Sequence, residues 1–195
     1  MDQNFTRSVL SWYDAGHRDL PWRRTKDAYR IWVSEIMLQQ TRAETVVSYY
    51  ERFLARYPDV RALADAPEEE LLKAWEGLGY YSRARLLQKA ARAIVSQYGG
   101  ELPADLKKLR ALPGVGDYTS GAIASIAFGI PAAAVDGNVE RVICRYFAIS
   151  EEMGSPKSRR MIHELAQSLV PPDRPGAFAN AMMEMGATMC TPKSP

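Results

Sequence analysis

Cysteine is nearly absent: Cys144 and Cys190 are the two examples in 195 residues. Such a pair cannot make the disulfide framework of a small secreted domain. Cys144 lies among apolar residues in VERVICRYF and reads as an inert core thiol. Histidine is equally scarce. His17 and His163 stand apart from each other and from any metal-like cysteine spacing, so packing or surface hydrogen bonding is their expected role. An excess of one charge is missing as well: 25 Lys and Arg face 23 Asp and Glu, a formal net charge of +2. That balance does not demand a polyanionic partner but leaves room for one basic face. No run approaches the roughly 20 apolar residues that a membrane-spanning helix needs. The opening MDQNFTRSVLSWYDAGHRD is charged throughout and lacks the apolar stretch and cleavage site of a signal peptide.

What is present is helical periodicity in a chain that is 47% hydrophobic, enough for a sizeable core. Phe5, Val9, Trp12 and Tyr13 mark a first helix ending near Gly16. Ile31 to Gln40 reads as a second, and Val46, Tyr49, Tyr50, Phe53 and Leu54 as a third. Leu86, Leu87, Ala90, Ala91, Ile94 and Val95 share one buried face. Further helices are expected near 68–75, 105–111, 118–128, 137–147, 157–169 and 176–189, with Gly and Pro between them. Sustained strand alternation is missing, so the fold class is all-α. No internal repeat, low-complexity segment or charged linker interrupts it.

The sharpest local signal is LRALPGVGDYTSGAIASIAF, from Leu109 to Phe128. Pro113 can end one helix, while Gly114 and Gly116 permit backbone angles and close approaches that side chains obstruct. Exposed amides followed by the positive end of a helix can hold a DNA phosphate without reading bases. A plain turn between packed helices is the other reading. The Lys-Ser/Thr ending of a P-loop is missing. Glu35 interrupts the apolar run Ile31, Trp32, Val33, Ile36, Met37, Leu38. It reads either as a core-edge residue paired with an Arg or as a pocket acid whose raised pKa suits proton delivery. Asp136 stands where it can N-cap the helix of Val139, Val142 and Ile143.

LPGVG followed by VDGNVERV (135–142) resembles the endonuclease III superfamily of helix-hairpin-helix glycosylases. LPWR (20–23), WVSEIMLQQT (32–41) and GLGYYSRAR (77–85) narrow the resemblance to the catalytic region of MutY-type adenine DNA glycosylases. It implies a two-lobed helix-hairpin-helix fold with a DNA cleft between the lobes. One lobe would take residues 22–133, six helices with the hairpin, and the other residues 1–21 and 134–195. It implies Glu35 as general acid at adenine N7 and Asp136 as the carboxylate facing the sugar. Trp22, Arg23, Tyr118 and Glu184 would line the base pocket. Gln39, Gln40, Tyr80, Arg83, Gly114, Gly116 and Asn138 would meet DNA, with Gln40 and Tyr80 filling the gap left by the extruded base. Bifunctional relatives carry a Lys at the position of Tyr118. A phenol cannot form their iminium intermediate, so base release without strand cleavage is implied.

The implied activity is hydrolysis of adenine opposite 8-oxoguanine or guanine in double-stranded DNA, by a monomer in the cytoplasm or nucleoid. Thymine or uracil removal from G mispairs and non-catalytic mismatch binding are the alternatives. The family's [4Fe-4S] cluster takes four cysteines. Cys190 matches the first and TPKSP follows it, so the cluster is not expected in the chain as given. A chain cut within the cluster loop and a variant that dispenses with the cluster both fit, and no counterpart of the family's 8-oxoguanine-recognising C-terminal domain follows Cys190.

Overall fold

The computed structural model describes residues 3–152 and 154–193. The described residues form an all-α fold of eleven helices and one 3₁₀ turn. In order they are α1 (Gln3–Ala15), the 3₁₀ turn Pro21–Arg24, α2 (Ala28–Leu38), α3 (Ala43–Arg56), α4 (Val60–Asp65), α5 (Glu68–Ala74) and α6 (Ser82–Tyr98). There follow α7 (Leu106–Arg110), α8 (Asp117–Phe128), α9 (Gly137–Tyr146), α10 (Pro156–Leu169) and α11 (Pro175–Thr188). No described helix is long and apolar enough to cross a membrane.

Side-chain caps start several of these helices. The carboxylates of Asp27, Asp59 and Asp105 accept from Arg30 N, Ala62 N and Lys108 N at 2.9 Å each, satisfying amides that have no partner inside the helix. Helix α4 was not expected from the sequence. At six residues it completes fewer than two turns, too few for a periodic pattern, and only its Asp59 cap announces it.

The chain divides into two compact units. One is Leu20–Thr119; the other is made by the segments on either side of it. The second unit takes in the latter part of α8 for a local reason. A Cβ on Gly121 would lie 2.1 Å from Ala133 O, so the second half of α8 packs directly on the 131–134 segment.

The core of the Leu20–Thr119 unit holds Trp32, Trp75, Phe53, Leu63, Leu71, Leu87, Ile94 and Leu109. Phe53 meets Trp75 edge-on at 5.8 Å between centroids. Helix α2 runs through this core, and every residue from Ile31 to Met37 is buried. Such all-round burial is what a central helix requires. The second unit has its own core, in which Phe5, Val9 and Tyr13 of α1 pack with Val142, Ile143, Ile162, Leu169, Phe178 and Met182. Thr6 Oγ1 donates to Leu169 O at 2.9 Å, tying α1 to the end of α10.

Candidate active site

Glu35 is 3% exposed in the middle of α2. The Tyr118 hydroxyl donates to its Oε2 at 2.5 Å. Tyr118 is there because of the hairpin. Helix α7 ends at Arg110, Leu112 and Val115 sink into the core, and α8 begins at Asp117, so Tyr118 falls in its first turn. Arg110 Nε and Asp117 Oδ1 close the hairpin with a 2.6 Å ion pair. The arrangement places a buried carboxyl and a phenol within hydrogen-bond distance of each other.

The two hairpin glycines differ. Gly114 has φ +74°, and an added Cβ would press on Leu86 Cβ at 2.9 Å. Gly116 has neither a positive φ nor any atom within 4 Å of an added Cβ. Its lack of a side chain therefore serves nothing inside the protein; it clears space on the outer surface of an exposed turn. Trp22 of the 3₁₀ turn is buried, edge-on to Tyr50 at 5.5 Å, and Arg23 beside it is half-buried.

Two further turns of this unit hold the residues expected to enter DNA. Helix α2 ends at Leu38, Gln39 is half-buried, and Gln40 is exposed with φ +57°. Tyr80 is 62% exposed with φ +49°. A left-handed backbone costs a non-glycine residue about 1–3 kcal/mol and persists where its surroundings over-determine it. Arg83, expected as a DNA contact, is instead a buried residue that braces both turns. Its Nη1 donates to Ile36 O, Met37 O and Gln39 O at 3.0, 2.9 and 2.5 Å. Its Nη2 donates to Thr41 Oγ1, Leu78 O and Gly79 O at 3.3, 2.9 and 3.1 Å. The physical reason is the negative end of α2, whose last carbonyls have no partner inside the helix and attract a cation. Burial pulls the Arg83 pKa below the usual guanidinium value.

In the second unit, Asp136 takes the N-cap position of α9. Its Oδ1 accepts from Asn138 N and Val139 N at 3.0 and 2.8 Å, and its Oδ2 from Asn138 Nδ2 at 3.0 Å. Asn138 Oδ1 in turn accepts from Arg141 Nη2 at 2.8 Å, and the same nitrogen donates to Gly186 O at 2.6 Å. The capping bonds hold the half-buried Asp136 carboxylate in one orientation.

Glu184, expected at the base, is 2% exposed and engaged elsewhere. Arg18 Nε and Nη2 grip both of its oxygens at 2.8–3.1 Å, and Arg18 N donates to Oε1 at 3.0 Å. A buried carboxylate needs such compensation. Sequence reasoning did not find Arg18, because 166 residues separate the partners. Arg18→Ala is expected to cost about 2 kcal/mol in chemical denaturation. That is below the roughly 3–5 kcal/mol of a fully buried pair, since Arg18 is itself 36% exposed.

The residues present do not fit an iron-sulfur cluster. Cys190 has Arg145 Nη1 on its sulfur at 3.2 Å, and Cys144 is a buried residue of α9 whose thiol pKa is pushed up by burial. Two cysteines so placed fall short of four thiolates. Among the described residues no group of three or more His, Cys, Asp or Glu side chains could hold a metal ion.

A glycine hairpin between α7 and α8, carrying a phenol onto a buried carboxyl of the central helix, defines a helix-hairpin-helix protein. Residues 33–172 match the family described as HhH-GPD superfamily base excision DNA repair protein, and the chain belongs to that superfamily. It is 50% identical to the adenine DNA glycosylase of Homo sapiens over 200 residues, covering 98% of this chain and 37% of that protein. The solved structure of a thermostable thymine-DNA glycosylase is similar at 36% identity and TM-score 0.90, over 98% of this chain and 88% of that one. A non-covalent endonuclease III–DNA complex is similar at 25% identity and TM-score 0.82, over 98% and 87%. The chain spans under half the length of the mammalian adenine DNA glycosylases it matches.

Proposed function

We propose that the chain is the catalytic portion of a monofunctional glycosylase that hydrolyses adenine from double-stranded DNA where it faces 8-oxoguanine or guanine. The observation that carries this reading is the buried Glu35 carboxyl with the Tyr118 phenol on it. The similarity to adenine DNA glycosylases supports the choice of base.

Glu35 donates its proton to N7 of the extruded adenine. The bond from C1′ to N9 breaks, and its electron pair leaves with the base. The Asp136 carboxylate opposes the positive charge that develops on the sugar. Water oxygen then bonds to C1′ and gives its proton to Glu35, restoring the acid. Tyr118 offers no amine to capture the sugar, so the product is an abasic site in an unbroken strand. Gln40 and Tyr80 fill the space the adenine leaves, and Trp22 and Arg23 lie on the adenine side. Gly114 and Gly116 bring the hairpin backbone to a DNA phosphate. Since a side chain at Gly116 would meet nothing of the protein, Gly116→Ala is expected to leave the thermal unfolding midpoint unchanged. It should weaken binding to the mispaired duplex about tenfold, the loss of roughly one phosphate hydrogen bond to a charged group. A shifted midpoint would make Gly116 a structural residue instead.

A second reading is thymine removal from G mispairs, favoured by the similarity to the thymine-DNA glycosylase structure. Single-turnover base release on duplexes holding A opposite 8-oxoguanine, A opposite G, T opposite G and U opposite G separates the two. Adenine release, with strand breaks only after alkali, supports the first. Thymine or uracil release moves the assignment to the second. Tight mismatch binding without release of any base overturns both in favour of a binding protein.

A further inference from the structure

Arg83 lies beside both left-handed residues at once. Its acceptors Gln39 O and Thr41 Oγ1 belong to the two neighbours of Gln40, and its acceptor Gly79 O to the residue before Tyr80. The guanidinium carbon is 5.6 Å from the centroid of the Tyr80 ring and 5.5 Å from that of Trp75. One planar cation therefore holds the end of α2 with one nitrogen and the turn before α6 mainly with the other. We propose that Arg83 is a positioning residue that locks the Gln40 and Tyr80 turns into a single element, so that the two side chains are presented to DNA together. This rests on the proposed glycosylase reading only for what the element is used for.

The physics asks for arginine in particular. A guanidinium presents rigid donors in two directions, whereas an ammonium is a compact point charge that cannot fork to two separated sets of carbonyls. Between them the turns carry two of the three non-glycine residues with positive φ among the described residues. Neither Gln40 nor Tyr80 is held by burial of its own side chain, since both are exposed. The restraint comes from the backbone side, and Arg83 supplies it to both.

Arg83→Lys, which keeps the charge, and Arg83→Met, which keeps the apolar stem, test the proposal in two measurements. In the free protein, amide hydrogen exchange should rise at least tenfold in residues 38–41 and 78–81 together, in both variants, with the α3 and α6 interiors unchanged. On DNA, the fluorescence rise of 2-aminopurine placed at the target adenine should fall about tenfold in rate. Adding Tyr80→Ala to Arg83→Lys should slow it little further, because the arginine acts through that residue. Exchange that rises in one turn alone, in neither, or uniformly across the unit overturns the proposal. An unsubstituted protein that extrudes no base from any duplex overturns the glycosylase reading instead, and the exchange comparison then still decides whether the two turns are locked together.

Discussion

Glu35→Gln should lower single-turnover adenine release about 10³-fold, within the range that a positioned general acid contributes, while binding of the mispaired duplex stays within a few-fold. The amide preserves size and still accepts a hydrogen bond from Tyr118, so the pocket should keep its shape; what disappears is the transferable proton. Tyr118→Phe provides the contrast, because it removes the 2.5 Å hydrogen bond and leaves the acid. Its loss should be smaller, about tenfold, in line with one charge-assisted hydrogen bond. If the two variants are equally impaired, the carboxyl acts through its bond to the phenol and not as a proton donor. If Glu35→Gln retains release within tenfold of the parent, the general-acid assignment fails.

Gly186→Ala is the second large effect, and it reaches chemistry through packing. An added Cβ on α11 would lie 2.5 Å from Asn138 Cβ, 2.8 Å from Asn138 O and 2.9 Å from Asn138 C. Two of the three are backbone atoms that cannot swing away. The N-terminus of α9 must shift, and with it Asp136, whose Oδ2 is held by the Asn138 amide at 3.0 Å. Overpacking of this kind costs about 3 kcal/mol, which should appear as a lower denaturation midpoint. A displacement of about 1 Å in a catalytic group lowers rate about 10²-fold. The variant should therefore lose stability and base release together. Loss of stability with full activity would show that the Asp136 loop is not the part that yields. Full stability would show that α11 itself moves aside.

Most helices were legible in the sequence because their apolar positions recur at three- and four-residue spacing. The limits of α8, α9, α10 and α11 fall within one residue of expectation. Glu35 stood out because a lone carboxylate inside an apolar run is unusual, but that pattern left a core-edge role equally open, and the general-acid role came from the family resemblance. Its bond to Tyr118 was not read from the sequence, since the two stand 83 residues apart. Arg83 and Glu184 show where pattern reading stops. An arginine in the first turn of a helix looks like a surface cation, and nothing local reveals that five carbonyls and a threonine hydroxyl converge on it. A glutamate late in an apolar helix looks like a pocket residue until Arg18, from the other end of the chain, arrives to neutralise it. In both cases the decisive partners are main-chain atoms or distant side chains, which leave no periodic trace.

That same Arg18–Glu184 bond has a consequence for how the molecule comes into being. The partners are 166 residues apart, so at a ribosome adding about 5–20 residues per second the arginine waits roughly 8–33 s for its carboxylate. During that interval Phe5, Val9 and Tyr13 have no α10 or α11 to cover them. The stretch Leu20–Thr119, by contrast, is complete as soon as it leaves the exit tunnel. Nascent chains should thus pass through a stage in which the middle is folded while the apolar face of α1 is still exposed.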